Sequence, residues 1–135
     1  MPKLSIPSTI LFIIISVSGY SQKKIIQTHA VEAKISIDAK LLEPAWQLAT
    51  TATNFIMLEP DNGVAIAPEK ETEVRVLYDN EAIYISALLK DNEPDKILRE
   101  MTQRDNFGTA DHFGVYINGF NDGQQDFRFF VSAAG

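Results

Sequence analysis

The sequence predicts a mainly β protein, an antiparallel β-sandwich with one or two short helices, which we expect to be incomplete at its C-terminal end. Short runs in which apolar and polar residues alternate recur along the chain, and this is the spacing of half-buried strands. Turn-forming clusters such as Asp79-Asn80-Glu81 and Asn121-Asp122-Gly123 separate these runs. The chain has 135 residues and no cysteine, so a single domain must be held by a hydrophobic core and not by disulfides.

The first 21 residues are typical of a secretory signal peptide. Lys3 precedes a compact apolar run, Ile10 to Val17, and small residues that suit cleavage follow it. The run is about half as long as the roughly 20 residues that a membrane-spanning helix needs, and an uncleaved anchor is the alternative. We therefore expect export to the periplasm, cell surface or outer membrane. Residues 22–32 would then be a short N-terminal segment, and residues 33–135 the sandwich.

The first part of the predicted domain contains a strand, a helix and a second strand. Ile35 and Ile37 alternate with polar neighbours, which predicts a strand. Pro44 is tolerated at a first helical position and opens one or two helical turns that contain Trp46. The segment from Asn54 to Pro60 predicts a short strand that ends at a turn.

Residues 72–91 carry the clearest pattern of the chain, a predicted β-hairpin. Val74, Val76 and Tyr78 alternate with other side chains, and a second β-rich run follows a short polar connection. Their shared phase assigns Tyr78 to the core, with its hydroxyl at an edge. The second run is apolar on both faces, as in a strand that is covered on each side.

The remaining elements are one helix and two strands. Pro94 suits a first helical position, and Ile97, Leu98 and Met101 gather on one side, which predicts a helix of two to three turns within residues 92–105. Alternating apolar residues then predict strands over residues 113–117 and 126–132, with a loop over residues 119–125 between them.

Charge and motif content exclude several classes of function. The formal net charge is −6 and becomes −7 when Lys3 leaves with the signal peptide, so we expect no nucleic acid as a partner. Without cysteine the chain has no thiol nucleophile and no cysteine zinc site. His29 and His112 lie in no recognisable catalytic or metal motif, and no phosphate-binding glycine loop is present. We expect no enzyme activity within these residues.

Three stretches follow one another in a specific order: ISIDAKLLEPAWQLA, TEVRVLYDNEAIYISALLKDNEP and RDNFGTADHFGVYINGFNDGQQDFRFFVSAAG. Together they resemble the β-sandwich of family 9 carbohydrate-binding modules, over nearly all of the chain from Ala33 onward. The chain is especially similar to the version found at the N-terminus of long bacterial outer-membrane proteins of unassigned function. The resemblance implies a fragment, followed in the full polypeptide by a C-terminal region that forms a membrane β-barrel.

Aromatic side chains are the candidate platforms for a sugar ring. Trp46 has the flat face that stacks on a pyranose, but its helical spacing from Leu42 and Ala49 assigns it to the structural core. Phe107 and Phe120 lie in polar loops beside glycine and are the better platforms. The candidate carbohydrate-binding residues are Phe107, Phe120, Arg104 and Asn118.

A calcium ion is the candidate cofactor. Asp105, Asp111 and Asp122 offer the oxygen ligands that Ca²⁺ prefers, although their spacing matches no EF-hand loop. The resemblance implies structural calcium as well. The alternatives are an acid that begins a strand for Asp111 and a turn acid for Asp122.

The sequence leaves three functions open. The first is a non-catalytic carbohydrate-binding module that holds an oligosaccharide or polysaccharide and serves polysaccharide breakdown. The second is a structural or interaction module that caps the C-terminal β-barrel and has no glycan site; it is favoured by the single tryptophan and by Asn118, where the family commonly has Asp. The third is part of a glycoside hydrolase whose catalytic residues lie beyond Gly135.

Overall fold

The computed structural model describes residues 24–101, 103, 106 and 108–135. These residues form a mainly β protein with two sheets and little helix, in agreement with the predicted class. The predicted signal peptide, residues 1–21, lies outside the described residues. Within the described part of the chain, no helix has the length and apolar character needed to cross a membrane.

The larger sheet, which we call the main sheet, has four strands. Its centre is an antiparallel hairpin of β3, Thr72–Tyr78, and β4, Ile83–Leu89, which pair along their full length. Two short strands share the other edge of β3. The strand β1, His29–Ala30, is parallel to the end of β3, and β2, Thr51–Ala52, is antiparallel to its middle. The predicted hairpin is confirmed.

The turn between β3 and β4 is built around the carboxylate of Asp79. Its Oδ1 accepts the backbone N–H groups of Glu81 and Ala82, each at 2.7 Å, and its Oδ2 accepts the hydroxyl of Tyr84 at 2.7 Å. These donors favour the ionised carboxylate, so they hold the pKa of Asp79 below its usual value, and the Tyr84 hydroxyl has the largest effect. The short polar connection therefore closes the hairpin with one ionised side chain.

The core lies on the side of the main sheet that faces the helix α1, Pro44–Leu48. Trp46 of α1 is 5% exposed and belongs to one buried cluster with Ile35, Ala49 and Leu77 of β3, which is 1% exposed. The helix begins at Pro44, as its sequence predicts, and the structure places Trp46 in the core as expected. The α1 helix thus supplies the largest side chain of the core.

The predicted core position of Tyr78 is wrong, because the opposite face of β3 is the buried one. Tyr78 is 42% exposed at the end of the strand, whereas its neighbour Leu77 is buried. Successive side chains of a strand point to opposite faces, and α1 packs on the face of Leu77. The alternation therefore gave the period of the strand correctly but not which of its faces is buried.

The predicted strand at Ile35 and Ile37 is not formed. Ile35 belongs to the core, but Ile37 is 85% exposed, and both lie in irregular chain. The backbone N–H of Ser36 donates to Oε1 of Glu43 at 2.9 Å, so this segment bonds to a side chain and not to a neighbouring strand. The predicted strand within residues 54–60 is reduced to a single bridge between Ile56 and Ala65.

The predicted helix within residues 92–105 is limited to one 3₁₀ turn, Pro94–Lys96. Residues 97–101 are irregular, and the side chain of Met101 is 94% exposed. The backbone of Leu98 bonds to Asp111 instead: its N–H donates to the side-chain oxygen Oδ2 of Asp111, and its carbonyl accepts the backbone N–H of Asp111, both at 3.0 Å. A short helix is marginal without an apolar surface to pack against, and Met101 finds none among the described residues.

The second sheet, which we call the hairpin sheet, pairs β5, His112–Ile117, with β6, Phe127–Ser132, in antiparallel register. Both strands and their connecting loop agree with the sequence prediction. Residues that are opposite one another in the register place their side chains on the same face of the sheet. The side chains therefore divide into two sets, one on each face. The apolar face carries Phe113, Val115, Ile117, Phe127, Phe129 and Val131. The aromatic face carries His112, Gly114, Tyr116, Arg128, Phe130 and Ser132.

Replacing Trp46 with alanine should destabilise the domain by about 3–5 kcal/mol, because it leaves a cavity between α1 and β3. Leu42→Ala is the matched control, since Leu42 lies just before α1 with an exposed side chain and should change stability by less than about 0.5 kcal/mol. Urea denaturation of both variants measures the difference. Equal free energies of unfolding for the two variants would show that Trp46 is not a core residue.

Asp79→Asn should lower stability at neutral pH and matter less as the solution is acidified. The folded pKa of Asp79 is depressed, so its stabilisation is present above the unfolded value of about 3.9 and is lost as pH falls through the folded value. Thermal melts from about pH 3 to pH 7 measure this convergence. Asp61→Asn, in an exposed turn, is the control and should change stability at neutral pH by less than about 0.5 kcal/mol. A stability gap for Asp79→Asn that is constant with pH would contradict the role of the carboxylate.

Candidate functional site

Three of the predicted site residues lie together in the loop between β5 and β6. These residues, Asn118, Phe120 and Asp122, follow the last residue of β5 within five positions. Three further candidates lie outside the described residues, and their roles stay predictions: Arg104, Asp105 and Phe107.

Side-chain hydrogen bonds shape this loop. Asn118 Oδ1 accepts the backbone N–H of Phe120 at 3.1 Å, and Asn118 Nδ2 donates to Asp122 Oδ1 at 3.3 Å. The same carboxylate oxygen accepts the N–H groups of Gln124 at 2.9 Å and Gln125 at 3.4 Å. The Gln124 bond contributes most to lowering the pKa of Asp122, with further lowering from Gln125 and Asn118. The loop is therefore ordered by its own polar side chains.

The ring of Phe120 is presented to solvent by this loop. It is 71% exposed, although an aromatic side chain of its size is usually at least partly covered. Its backbone N–H is held by Asn118, so the ring starts from a fixed position in the chain. An exposed aromatic ring on a hydrogen-bonded backbone supplies an apolar plane on which a ligand can stack without an ordering cost in the backbone.

The aromatic face of the hairpin sheet continues from the loop and was not identified by the sequence analysis. The ring of Phe130 lies between those of His112 and Tyr116, with edge-to-face contacts at centroid distances of 5.6 Å to each. The guanidinium of Arg128 lies over the ring of Tyr116, 5.4 Å from its centroid. The result is a row of three rings that ends in a cation.

Polar groups border one end of this row. Arg128 Nε donates to Asp126 Oδ1 at 3.1 Å, an ion pair on the surface. Within the described residues, no protein acceptor lies within hydrogen-bonding distance of the two terminal nitrogens of Arg128. These nitrogens can donate to hydroxyl or carboxylate oxygens of a ligand that contacts Tyr116. Donors beside exposed rings suit a polar ligand with an apolar face.

The structure places two of the predicted calcium ligands, Asp111 and Asp122, at opposite ends of β5. Asp111 lies just before β5 and Asp122 lies beyond its other end, so a strand of six residues, about 20 Å, separates them. The third candidate, Asp105, lies outside the described residues, and the calcium site stays a prediction. Among the described residues, no group of three or more histidines and acids is arranged to hold a metal ion.

The loop residues could be predicted from sequence, whereas the aromatic face could not. Asn118 and Asp122 are typical turn residues, and a phenylalanine between them is conspicuous in the sequence. The pairing of Tyr116 with Arg128 depends on the register of β5 and β6, and one residue of slip would place these two side chains on different faces. The alternation of β5 and β6, combined with the length of the loop between them, is the sequence signal that could have predicted the pairing of Tyr116 with Arg128.

No protein-family model, no curated protein and no solved structure matches this chain. The similarity to family 9 carbohydrate-binding modules therefore stays an interpretation of the three sequence stretches.

Gly114→Ala should disrupt the aromatic face. A Cβ at residue 114 would lie 2.6 Å from Cε1 and 2.8 Å from Cδ1 of Phe130, so the ring would have to leave its place between His112 and Tyr116. We expect a destabilisation of about 1–3 kcal/mol, measured by urea denaturation, and changed ring signals in NMR spectra.

The matched control for this prediction is Gly119→Ala. A Cβ there would come no closer than 3.8 Å to the ring of Phe127, which is an ordinary contact. This variant should therefore unfold close to the parent. If Gly114→Ala were as stable as Gly119→Ala, with unchanged ring signals, then Phe130 would not occupy the position over residue 114.

Proposed function

We propose that this chain is a non-catalytic carbohydrate-binding module of an exported or outer-membrane protein, and that its two sheets belong to an antiparallel β-sandwich. The sequence resemblance motivates the proposal, and the mainly β architecture is compatible with it. The proposed partners are an oligosaccharide or polysaccharide and, within the same polypeptide, a C-terminal membrane β-barrel region. A role in polysaccharide breakdown follows if the module holds its glycan near a hydrolase.

One observation carries the proposal: the exposed ring of Phe120 stands on an internally bonded loop, directly after the strand that presents Tyr116. A pyranose has C–H faces that are apolar and an equator of hydroxyl groups, so it needs both a ring to stack on and polar partners at the side. Phe120 and Tyr116 offer rings. Arg128 offers donors, and the carboxylate of its partner Asp126 offers acceptors.

The proposed site fits weak and extended binding better than the enclosure of a small ligand. Its aromatic side chains stand on a hairpin and its loop, and Tyr116 and Phe120 are both exposed. Ligand atoms would remain partly solvated there, and each contact would contribute little. Affinity for a polysaccharide would then come from several sugar units that contact the surface at once.

The test uses the full chain and a panel of soluble oligosaccharides, with binding measured by calorimetry. Phe120→Ala and Tyr116→Ala should each weaken binding by about two- to tenfold, which corresponds to the loss of one aromatic contact. Phe55→Ala is the control, because Phe55 is also an exposed phenylalanine but lies near β2 in the main sheet. If both variants bound a glycan as the parent does, the site would lie elsewhere. If the parent bound no member of the panel, the proposed function would be wrong.

The alternative, an interaction module without a glycan site, is favoured by a different observation. Three side chains on the apolar face of the hairpin sheet, Phe127, Phe129 and Val131, are each more than half exposed. A two-stranded sheet with an uncovered apolar face is marginally stable by itself, so contact with another surface would stabilise it. In this reading the cover is the β-barrel region of the same polypeptide. A parent that binds no glycan would favour this function.

A further inference from the structure

A groove lies at the turn end of the main sheet, on the face opposite to the core. It has a volume of about 450 Å³ and is formed where the segment before β1 passes the β3–β4 turn. Volumes of roughly 300–1,000 Å³ are usual for sites that bind small molecules. The groove lies in the main sheet, whereas the proposed glycan site lies on the hairpin sheet, so it is independent of that proposal.

The floor and one side of the groove are apolar. Val76 and Tyr78 of β3 and Ile83 of β4 line it, and Ala82 lies at the turn. Tyr78 and Ile83 are opposite one another in the register and therefore share this face. Both side chains are exposed. They lie on the face of the sheet opposite to the core cluster, which explains why Tyr78 is absent from the core. An aromatic ring beside an aliphatic side chain forms a surface for the apolar part of a ligand.

The charged side chains at this groove are all acidic. Asp79 and Glu81 belong to its lining, and the remaining lining residues carry no charge. Asp79 is kept ionised by its three hydrogen-bond donors, which also fix the turn. The carboxylate of Glu81 has no hydrogen-bond or ion-pair partner among the described residues. The groove therefore combines an apolar surface with two acidic residues. The carboxylate of Asp79 is already bonded within the turn, whereas that of Glu81 can pair with a ligand.

We propose that this groove binds a small organic cation, an ammonium group attached to an apolar body. The apolar body would lie on Val76 and Ile83, and the ammonium group would lie near Glu81 and the ring of Tyr78. A cation gains from the negative face of a tyrosine ring as well as from a carboxylate. An anion would lie beside the carboxylate of Glu81, and the lining residues that the structure describes include no compensating cation, so the charge pattern selects against it.

The position of Thr28 supports a preformed groove. Its hydroxyl donates to the carbonyl of Val76 at 2.6 Å, which ties the segment before β1 to β3 beside the apolar floor. Asp79 holds the opposite side through the β3–β4 turn. A groove that is fixed on both sides needs no backbone ordering when the ligand binds, which favours affinity for a small ligand.

Three probes of similar size test the proposal on the full chain by NMR titration: benzylammonium, benzyl alcohol and benzoate. Benzylammonium should bind with a dissociation constant on the order of millimolar, as expected for a small ligand. It should shift the backbone amide signals of residues 76–83, benzyl alcohol should bind more weakly, and benzoate should not bind. Equal binding of the three probes, no saturation by benzylammonium, or shifts confined to other residues would overturn the proposal.

Glu81→Gln separates the effect of charge from that of shape. It should weaken benzylammonium binding by about two- to fivefold, the size of one exposed ion pair, and leave benzyl alcohol unchanged. Glu69→Gln, an exposed acid in the 3₁₀ turn Pro68–Lys70, is the control and should bind both probes as the parent does. Equal losses in Glu81→Gln and Glu69→Gln would assign the effect to net charge and reject the specific site.

Discussion

The packing of α1 against β3 is the constraint on which the rest of the main sheet depends. Trp46 and Leu77 belong to one buried cluster, and this cluster decides which face of β3 is covered. Once Leu77 faces the helix, the alternation of the strand turns Tyr78 to the other side. The same choice leaves Val76, Tyr78 and Ile83 to form the floor and side of a groove. A core contact and a surface site are therefore two results of one strand orientation.

The parts of the fold that were predictable from sequence are those with local causes. The β3–β4 and β5–β6 hairpins combine alternating strands with turn residues that lie between them in sequence. Pro44 marks the start of α1 in the same local way. Elements with non-local causes were missed, because β1 and β2 are two residues long and exist only through pairing with β3. The helix predicted after Pro94 fails for the same reason, since a helical period does not supply a surface to pack on.

In the candidate glycan site, too, the residues with local causes were predictable from sequence and those with non-local causes were not. Asn118, Phe120 and Asp122 were predictable because polar turn residues around an aromatic residue are visible in a single stretch of sequence. The row of His112, Phe130 and Tyr116 requires the register of two strands, and Gly114 makes room for the central ring. A glycine within a strand is a sequence signal for such a close approach, but it does not say which ring approaches. The main-sheet groove is less predictable still, because it combines a segment before β1 with a turn far along the chain.

The connectivity of the main sheet also bears on the order in which the molecule can assemble. The two hairpins join neighbouring parts of the chain, and such contacts close on the microsecond scale. The bond from Thr28 to Val76 spans 48 residues, so it must wait for a much larger loop to close. The β3 strand must therefore exist before β1 has a partner, and the N-terminal segment is added to a template already present. Until that loop closes, the edge of β3 that later pairs with β1 has unpaired backbone groups, and such an edge can pair with a strand of another chain.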